Sequence, residues 1–276
     1  MWRLVRAGVL LIVVYTLLAY LVLPALWRHY EHHPALETAP KTADTSDGIP
    51  GDPLNVAVVG TEHEIIKAFL DARWYPADPI TLKTSLEIAE RVLLGRPYPR
   101  APVSNLFVFG RRQDLAFEKP AAASPRRRAH VRLWRSNDHG VDGRPLWIGG
   151  ATFDESVGVS HYTGQVTHHI APDVDVERDQ LMADLAAAGQ LERRYRVTGV
   201  GLTLNGRNGG GDRYFTDGEM AVGVISLSNV RHAAPTELAN PPAVDIKNQV
   251  WSWFRPLLSS PSADDPPPAE PGKKSD

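Results

Sequence analysis

The stretch RAHVRLWRSNDHGVDGRPLWIGGATF, residues 128–153, decides the fold. Its two ends, 128–135 and 145–153, carry the aromatic and β-branched residues that are typical of strands. Between them, residues 136–144 contain the Asn, Asp and Gly residues that tight hairpin connections need. The stretch therefore predicts two antiparallel strands joined by a hairpin.

Strand and helix signals continue on both sides of this hairpin. Further strand-like segments lie at 54–60, 105–110, 164–170, 192–200 and 219–227. Helical signals lie at about 61–74, 81–94, 176–188 and 243–258, the first of them opened by Thr61 and Glu64 at capping-box spacing. Because strands and helices do not alternate regularly, the sequence predicts an α+β domain with a mostly antiparallel sheet and packed helices.

The N-terminal region predicts one transmembrane helix. Residues 7–27 carry no charged side chain and are long enough to cross a hydrocarbon core of about 30 Å. A cleaved signal peptide is the alternative, but its apolar region usually has only about 7 to 15 residues. Arg3 and Arg6 precede the segment, and Arg28 and Lys41 follow it. This charge difference favours a cytoplasmic N-terminus and an extracytoplasmic domain in a single-pass membrane protein.

Composition divides the chain into four parts. Residues 1–31 form the predicted anchor, and residues 32–53, rich in Pro, Thr, Ala and Asp without an apolar period, a flexible linker. Residues 54–258 form the folded domain. Residues 259–276 are too poor in apolar residues to fold and predict a disordered tail.

Charge and cysteine content exclude several classes of function. The formal net charge is −2, so no overall field marks a nucleic-acid-binding protein. The chain contains no cysteine, which excludes disulfides, thiolate zinc sites and cysteine nucleophiles. A cofactor, a metal and an oligomeric state are not specified by these features.

One face of the first hairpin strand carries a row of basic side chains. Alternation along the strand places Arg128, His130 and Arg132 on the same side. Such a row suits phosphate or carboxylate, since arginine offers a planar fork of donors. The alternative is a solvated sheet face whose arginines pair with nearby acids such as Asp114 or Glu118.

The stretch VTHHIAPDVDVERDQL, residues 166–181, combines histidines and acids. His168 and His169 are neighbours in a strand, so they face opposite sides and do not readily bind one metal together. Either could join His161, Asp173 or Asp175 in a metal or acid–base site. The alternative for the acids is an ordinary helix start, where carboxylates favourably oppose the helix dipole.

Two further segments have both a functional and a structural interpretation. The glycine-rich residues 204–219 lack the order of a phosphate loop, which favours a long hairpin connection. The residues Trp251, Trp253 and Phe254 with Arg255 resemble a helix at a membrane interface, while packing onto the sheet is the more ordinary alternative.

Four motifs in this order resemble the LssY C-terminal domain family: LFVFGRRQDLAFEKP (106–120), RRRAHVRLW (126–134), GRPLWIGGATFD (143–154) and THHIAPDVDVERD (167–179). The resemblance covers about residues 53–230. It carries over these candidate functional residues: Arg111, Gln113, Asp114, His130, Arg132, Asp154, His168, His169 and Asp173.

The resemblance implies work at a membrane surface, but it brings no assigned activity. In larger members the domain resembles a module behind DedA-like and lipid-phosphatase-like membrane domains, which implies phosphorylated lipids as ligands. This chain departs from that arrangement, because a single predicted anchor replaces the multi-spanning domains. Phosphatase activity of those domains therefore does not carry over.

Three hypotheses follow. The first is a membrane-tethered module that binds an anionic or phosphorylated ligand, such as a lipid headgroup, with Arg111, Gln113, Asp114, Arg128, His130 and Arg132. The second is a hydrolase of a phosphate or ester, in which His168 or His169 is a base or metal ligand and Asp154 or Asp173 assists. The third is a scaffold for other membrane proteins. Membrane lipid is the expected partner, and nucleic acid is not expected.

Overall fold

The structure is a computed structural model that describes residues 2–22, 25, 36, 39–77, 104–121, 127–140, 142–162, 164, 166–198, 204–227, 230–240 and 242–258. The helix predicted at 81–94 and the tail predicted at 259–276 lie outside the described residues.

The described helices begin and end close to the predicted positions. Helix α1 is Trp2–Leu17 and continues as a wider turn through Leu18–Val22; it is followed by α2 (Glu62–Asp71), α3 (Val174–Ala187) and α4 (Pro242–Leu258). The predicted capping box opens α2: the Glu64 backbone N–H donates to Thr61 Oγ1 at 3.3 Å, and the Thr61 N–H donates to Glu64 Oε2 at 2.8 Å. Local sequence signals therefore fix where this helix starts.

The N-terminal helix differs from the other three in its burial. Residues 2–22 are long and apolar enough to cross a membrane, and none of them is buried in the domain. Apolar side chains without protein contacts need another apolar environment, which agrees with a membrane-spanning helix.

The described strands are β1 (Thr42–Asp44), β2 (Pro50–Pro53), β3 (Val56–Val59), β4 (Tyr75–Pro76), β5 (Phe107–Val108), β6 (Arg111–Arg112), β7 (Leu115–Pro120), β8 (Arg128–His139), β9 (Pro145–Val159), β10 (Val166–Ile170), β11 (Leu191–Val197), β12 (Leu204–Arg207), β13 (Arg213–Thr216), β14 (Met220–Ile225) and β15 (Thr236–Glu237).

Most of these strands form one nine-stranded sheet in the order β15-β11-β14-β3-β9-β8-β7-β4, with β10 also paired to β9. The pairs β14–β3 and β11–β15 are parallel, and the other pairs in this sheet are antiparallel. Strands β2-β1-β5-β6 form a small second sheet, and β12 and β13 form a separate hairpin. The predicted α+β class with a mostly antiparallel sheet is confirmed.

The large sheet lies between two apolar cores. On one face, α2 and α3 cover it with side chains that include Phe69 and Leu181, packed near Val131. On the other face, the small sheet covers it, and Trp134 and Ile148 lie in that core with Ala43, Leu106 and Val108. The central hairpin β8–β9 supplies both cores, because successive side chains point to opposite faces.

The linker predicted over 32–53 differs from the structure in its second half. Residues 42–44 and 50–53 are strands β1 and β2, and Ala43 and Asp52 are buried. The segment has few apolar residues of its own, so composition does not identify it as folded. It is held instead by pairing with β5, by the Leu54 N–H bond to the Lys41 carbonyl at 3.0 Å, and by packing against Leu106.

Candidate functional site

A polar cleft of about 350 Å³ opens where the large sheet meets the small sheet. Its walls come from β8, β9 and β10, from the connection between β1 and β2, and from the loop 208–210. The titratable groups at its centre are Asp52, His130, Arg132, Asp154 and His168. A concave site with several convergent polar groups is where a ligand or substrate is expected.

The hairpin places these groups together. His130 lies opposite Thr152, and Arg128 lies opposite Asp154, in the β8–β9 register. Their side chains all point away from the helical core, since every second residue of a strand faces the same side. Gly150 lets β2 approach, because an added Cβ there would lie 2.7 Å from the Pro53 carbonyl oxygen. That approach brings Asp52 to the same face.

Asp154 is the buried centre of this group, with 1% of its surface exposed. Its Oδ1 lies 3.3 Å from His130 Nδ1, and its Oδ2 lies 3.4 Å from His168 Nδ1. Arg128 Nε also donates to Asp154 Oδ2 at 3.3 Å. One carboxylate thus joins two imidazoles and a guanidinium.

His130 is held on its other side by a hydroxyl. Its Nε2 lies 2.7 Å from Thr152 Oγ1 and 3.9 Å from Asp52 Oδ2. Thr152, His130 and Asp154 contact one another in the order of the hydroxyl, imidazole and carboxylate of a catalytic triad. Thr152 is fully buried, however, and is not among the described residues that line the cleft, so its hydroxyl positions the ring rather than attacking a substrate.

The two histidines that flank Asp154 have pKa values shifted in opposite directions. Burial lowers the pKa of His130, but the negative charge of Asp154 and the hydrogen bonds to Asp154 and Asp52 together outweigh this and raise it above the ordinary value. Burial, helped by the nearby Arg128, lowers the pKa of His168 to about 4 despite the opposing charge of Asp154. Burial opposes ionisation of Asp154 too, yet His130, His168 and Arg128 together hold its pKa well below its usual range.

The basic row of β8 is buried and compensated by carboxylates. Arg132 Nη1 donates to Asp52 Oδ2 at 2.7 Å, and its Nε donates to the Ser104 carbonyl at 3.0 Å. Arg128 lies 3.6 Å from Glu118 Oε2 in addition to its bond with Asp154. Burial by itself would raise the pKa of Asp52. The hydrogen bond to His130 and the charge of Arg132 outweigh burial, so the pKa of Asp52 lies below its ordinary value. The row is therefore neither an open anion-binding face nor a solvated one.

Other candidates from the sequence lie away from the centre of the cleft. Arg111 and Asp114 form an exposed ion pair of 2.8 Å at β6, and Asp114 also accepts the Arg135 N–H. Gln113 Oε1 accepts the N–H of Leu106, so it supports one wall. Asp173 precedes α3 without a side-chain capping bond.

Asp173 instead accepts a hydrogen bond from Arg255 Nε of α4 at 2.6 Å. The neighbouring acid Asp175 is buried and bonds to Arg178 and Thr216. The acids after β10 therefore fasten α3 to the rest of the domain rather than line the cleft.

His169 lies on the opposite side of β10 from His168 and belongs to a second cluster. Its Nδ1 lies 2.6 Å from Asp212 Oδ1, and His161 Nε2 lies 3.9 Å from the same oxygen. In the part of the chain that the structure describes, these three residues offer donor atoms within 4.8 Å of one another and could hold a metal ion. Imidazole and carboxylate ligands suit zinc and other first-row transition metals.

Sequence reasoning missed Asp52 and Asp212. Asp52 lies in a Pro- and Gly-containing stretch that has the composition of a linker. Asp212 follows three glycines in a hairpin connection that has no recognised ligand spacing. Thr152 lies two residues before Asp154 in the same strand. Strand alternation therefore could have predicted that the two side chains share one face of the sheet.

Comparison with known families finds one family that covers most of the folded domain. A family model described as LssY C-terminus matches residues 36–220, from just before β1 to the start of β14. Searches of curated proteins and of solved structures find no match.

Proposed function

The chain belongs to the LssY C-terminus family, and we propose that its domain is a membrane-anchored hydrolase of a phosphate or ester bond, with its catalytic groups around Asp154. The observation that carries the proposal is geometric. One buried carboxylate holds two imidazoles within 3.3 and 3.4 Å at the wall of an open cleft. Paired acid–base groups in a concave site are the usual components of a hydrolytic centre.

The two imidazoles would have different roles. His168 is the more accessible, with 29% of its side chain exposed against 4% for His130. His168 would take a proton from the attacking water, whose oxygen bonds to phosphorus or carbonyl carbon. His130, whose pKa Asp154 helps to raise, would give a proton to the departing oxygen as the substrate bond breaks. Asp154 would stabilise the positive charge in both steps.

Arg132 would bind the oxygens on which negative charge develops. Its guanidinium lies in the cleft wall and is held by Asp52 and the Ser104 carbonyl. A fixed cation near the reacting group stabilises a charged transition state without reorganising. The substrate class supported by this arrangement is a small ester or phosphate that fits about 350 Å³.

Binding without turnover is the second candidate. Arg132 and His130 both line the cleft, and a ligand with one phosphate or carboxylate group could contact both. Asp52 and Asp154 already neutralise much of that positive charge. For this reason we rank anion binding below hydrolysis.

The N-terminal helix would hold the cleft near a bilayer. We propose that α1 is an uncleaved anchor, with its N-terminus in the cytoplasm and the domain outside it. Membrane lipid is then the nearest partner and the nearest source of phosphorylated substrates.

The test uses the full chain in detergent micelles. It is incubated with p-nitrophenyl phosphate, bis(p-nitrophenyl) phosphate and p-nitrophenyl acetate, alongside His168→Gln and the control His139→Gln, whose side chain is exposed outside the cleft. We expect turnover of at least one substrate, reduced about 100-fold by His168→Gln and unchanged by His139→Gln.

No turnover, combined with saturable binding of inorganic phosphate that Arg132→Gln removes, would replace hydrolysis with the second candidate. Neither turnover nor phosphate binding would contradict both.

A further inference from the structure

A second cluster of potential ligands lies on the other side of β10 from Asp154. His169 comes from β10, His161 from the turn after β9, and Asp212 from the connection between β12 and β13. The Asp212 Oδ1 atom lies 2.6 Å from His169 Nδ1 and 3.9 Å from His161 Nε2. The two imidazole rings lie with their centroids 5.6 Å apart.

Glycines make room for both rings. A Cβ added at Gly158, near the end of β9, would lie 2.2 Å from His169 Nε2. A Cβ added at Gly211 would lie 2.7 Å from the Cβ of His161, and Gly211 has a φ of +90°, which disfavours other residues. Glycine weakens a strand, and it often marks a position where another group approaches the backbone closely. Here the close approach is that of the histidine rings.

Asp212 is held in place by groups around it. Its Oδ2 accepts the Ile170 N–H at 3.2 Å and Asn208 Nδ2 at 3.3 Å. Asn208 Oδ1 in turn accepts the N–H groups of Gly210 and Asp212, each at 2.9 Å. In metal sites, the side chains that bind the ion are typically oriented by hydrogen bonds to neighbouring groups.

We propose that His161, His169 and Asp212 bind a first-row transition-metal dication, with zinc as the best match to two imidazoles and one carboxylate. Three protein ligands leave a fourth position of a tetrahedral ion open to water or a ligand. Metal binding through His169 Nδ1 would replace its hydrogen bond to Asp212, and the proton of that bond would go to solvent. The proposal does not depend on hydrolysis in the neighbouring cleft, because its ligands are a separate set of side chains.

The experiment measures metal content directly and needs no activity. The full chain, purified without a histidine tag, is dialysed with zinc and then analysed for bound metal, and the visible absorption of added Co²⁺ reports the coordination. His161→Ala is the main variant, since 47% of that side chain is exposed and its removal leaves little unpacked. His139→Ala is the matched control.

We expect about one zinc per chain for the wild type and for His139→Ala. His161→Ala and Asp212→Asn should weaken binding at least about 10-fold. Gly158→Ala should do the same by displacing His169. Failure of the wild type to bind zinc or Co²⁺, or binding that His161→Ala and Asp212→Asn leave unchanged, would overturn the proposal.

A different observation concerns helix α4, whose apolar side chains point outward. Ile246, Val250, Trp253, Phe254 and Leu257 are all exposed and recur at helical spacing on one side. The opposite side fastens the helix through polar bonds: Lys247 Nζ lies 2.9 Å from Glu219 Oε1, and Arg255 Nε lies 2.6 Å from Asp173 Oδ2. Val244 is buried against the domain, but the exposed apolar side chains of α4 outnumber it and form one continuous face.

We infer that this outward face of α4 inserts into the surface of the bilayer that α1 crosses. The inference rests on α1 being a membrane anchor. Residues 23–35 lie between the N-terminal helix and Leu36, which packs in the domain, and can reach at most about 47 Å, so the domain stays within that distance of the membrane. Trp and Phe on an amphipathic helix are the side chains expected at the boundary between headgroups and acyl chains.

The test exploits the absence of cysteine in the chain. Trp253→Cys and Leu257→Cys variants are labelled with a polarity-sensitive dye and reconstituted as full chains into phosphatidylcholine–phosphatidylglycerol vesicles. Asn137→Cys, exposed near the end of β8, is the control. We expect a blue-shifted emission that lipids brominated in the acyl chain quench for both α4 positions, and neither effect at residue 137.

Two results would overturn the inference. One is unquenched emission at both α4 positions. The other is a blue shift that grows with the density of protein in the vesicles, which would mean that a second copy covers this face.

Discussion

Asp52 forms an ion pair with Arg132 at one side of the cleft. Its carboxylate accepts Arg132 Nη1 at 2.7 Å, and both side chains are largely buried. Removing one partner of such a pair leaves the other charge uncompensated, which costs more than the pair itself contributes.

Asp52→Ala should therefore lower the free energy of unfolding by about 3 kcal/mol. Asp47→Ala, which removes an exposed carboxylate from the same connection, should have little effect. Chemical denaturation of the two variants measures the difference. Equal stability of Asp52→Ala and the wild type would mean that Arg132 is not held as described.

Glu177 on α3 is a buried acid whose charge the fold does not stabilise. Among the residues that the structure describes, none gives its Oε1 a hydrogen bond, and burial, with the nearby Asp184, raises its pKa to about 7 although His130 and Lys119 oppose this. The folded state then binds a proton more tightly than the unfolded state. Stability is highest below pH 4.5 for this group and decreases as the pH rises towards 7.

Glu177→Gln should remove that decrease. Relative to the wild type, the variant should gain on the order of 1–3 kcal/mol at pH 8 and nothing at pH 4.5. Thermal unfolding across this range tests it, with exposed Glu155→Gln as a control. A constant difference between variant and wild type at every pH would show that Glu177 does not titrate in this window.

At the scale of elements, local signals predicted most of the secondary structure. The β8–β9 hairpin follows from alternation and from its Asn, Asp and Gly residues, and α2 follows from its capping box. Strands β1 and β2 could not be predicted in this way, because what holds them is pairing with β5 and packing on a distant core. The same limit hid Asp52, so the sequence identified one wall of the cleft and not the wall opposite.

Strand β1 and the residues before it should be required for the fold. Buried Leu36 and Ala43 contribute to the second core. A fragment of residues 48–258 lacks both, whereas a fragment of residues 36–258 keeps them. We expect the shorter fragment to melt at least about 5 °C lower, or to be insoluble, in a parallel thermal scan. Equal melting temperatures would mean that β1 is not part of the stable domain.

At the scale of the whole molecule, the proposed anchor would determine which side of the membrane the cleft faces. Arg3 and Arg6 lie in the first turns of α1, before its uncharged part, and this favours a cytoplasmic N-terminus. Because the chain has no cysteine, single introduced thiols report the topology without background.

A membrane-impermeant maleimide should label Asn137→Cys in intact cells and Trp2→Cys only after lysis. The excess of positive charge at the N-terminal end of α1 is the reason for this expectation. Labelling of residue 2 but not residue 137 in intact cells would reverse the proposed orientation.

The central claim is that Asp154 organises an acid–base site with His130 and His168. The most direct measurement is kcat/KM of Asp154→Asn, on whichever p-nitrophenyl substrate the full chain hydrolyses, with circular dichroism to confirm that the variant is folded. The account predicts a loss of about 100-fold or more in a folded protein, because both imidazoles lose their shared carboxylate. A folded Asp154→Asn variant with wild-type kcat/KM would contradict it.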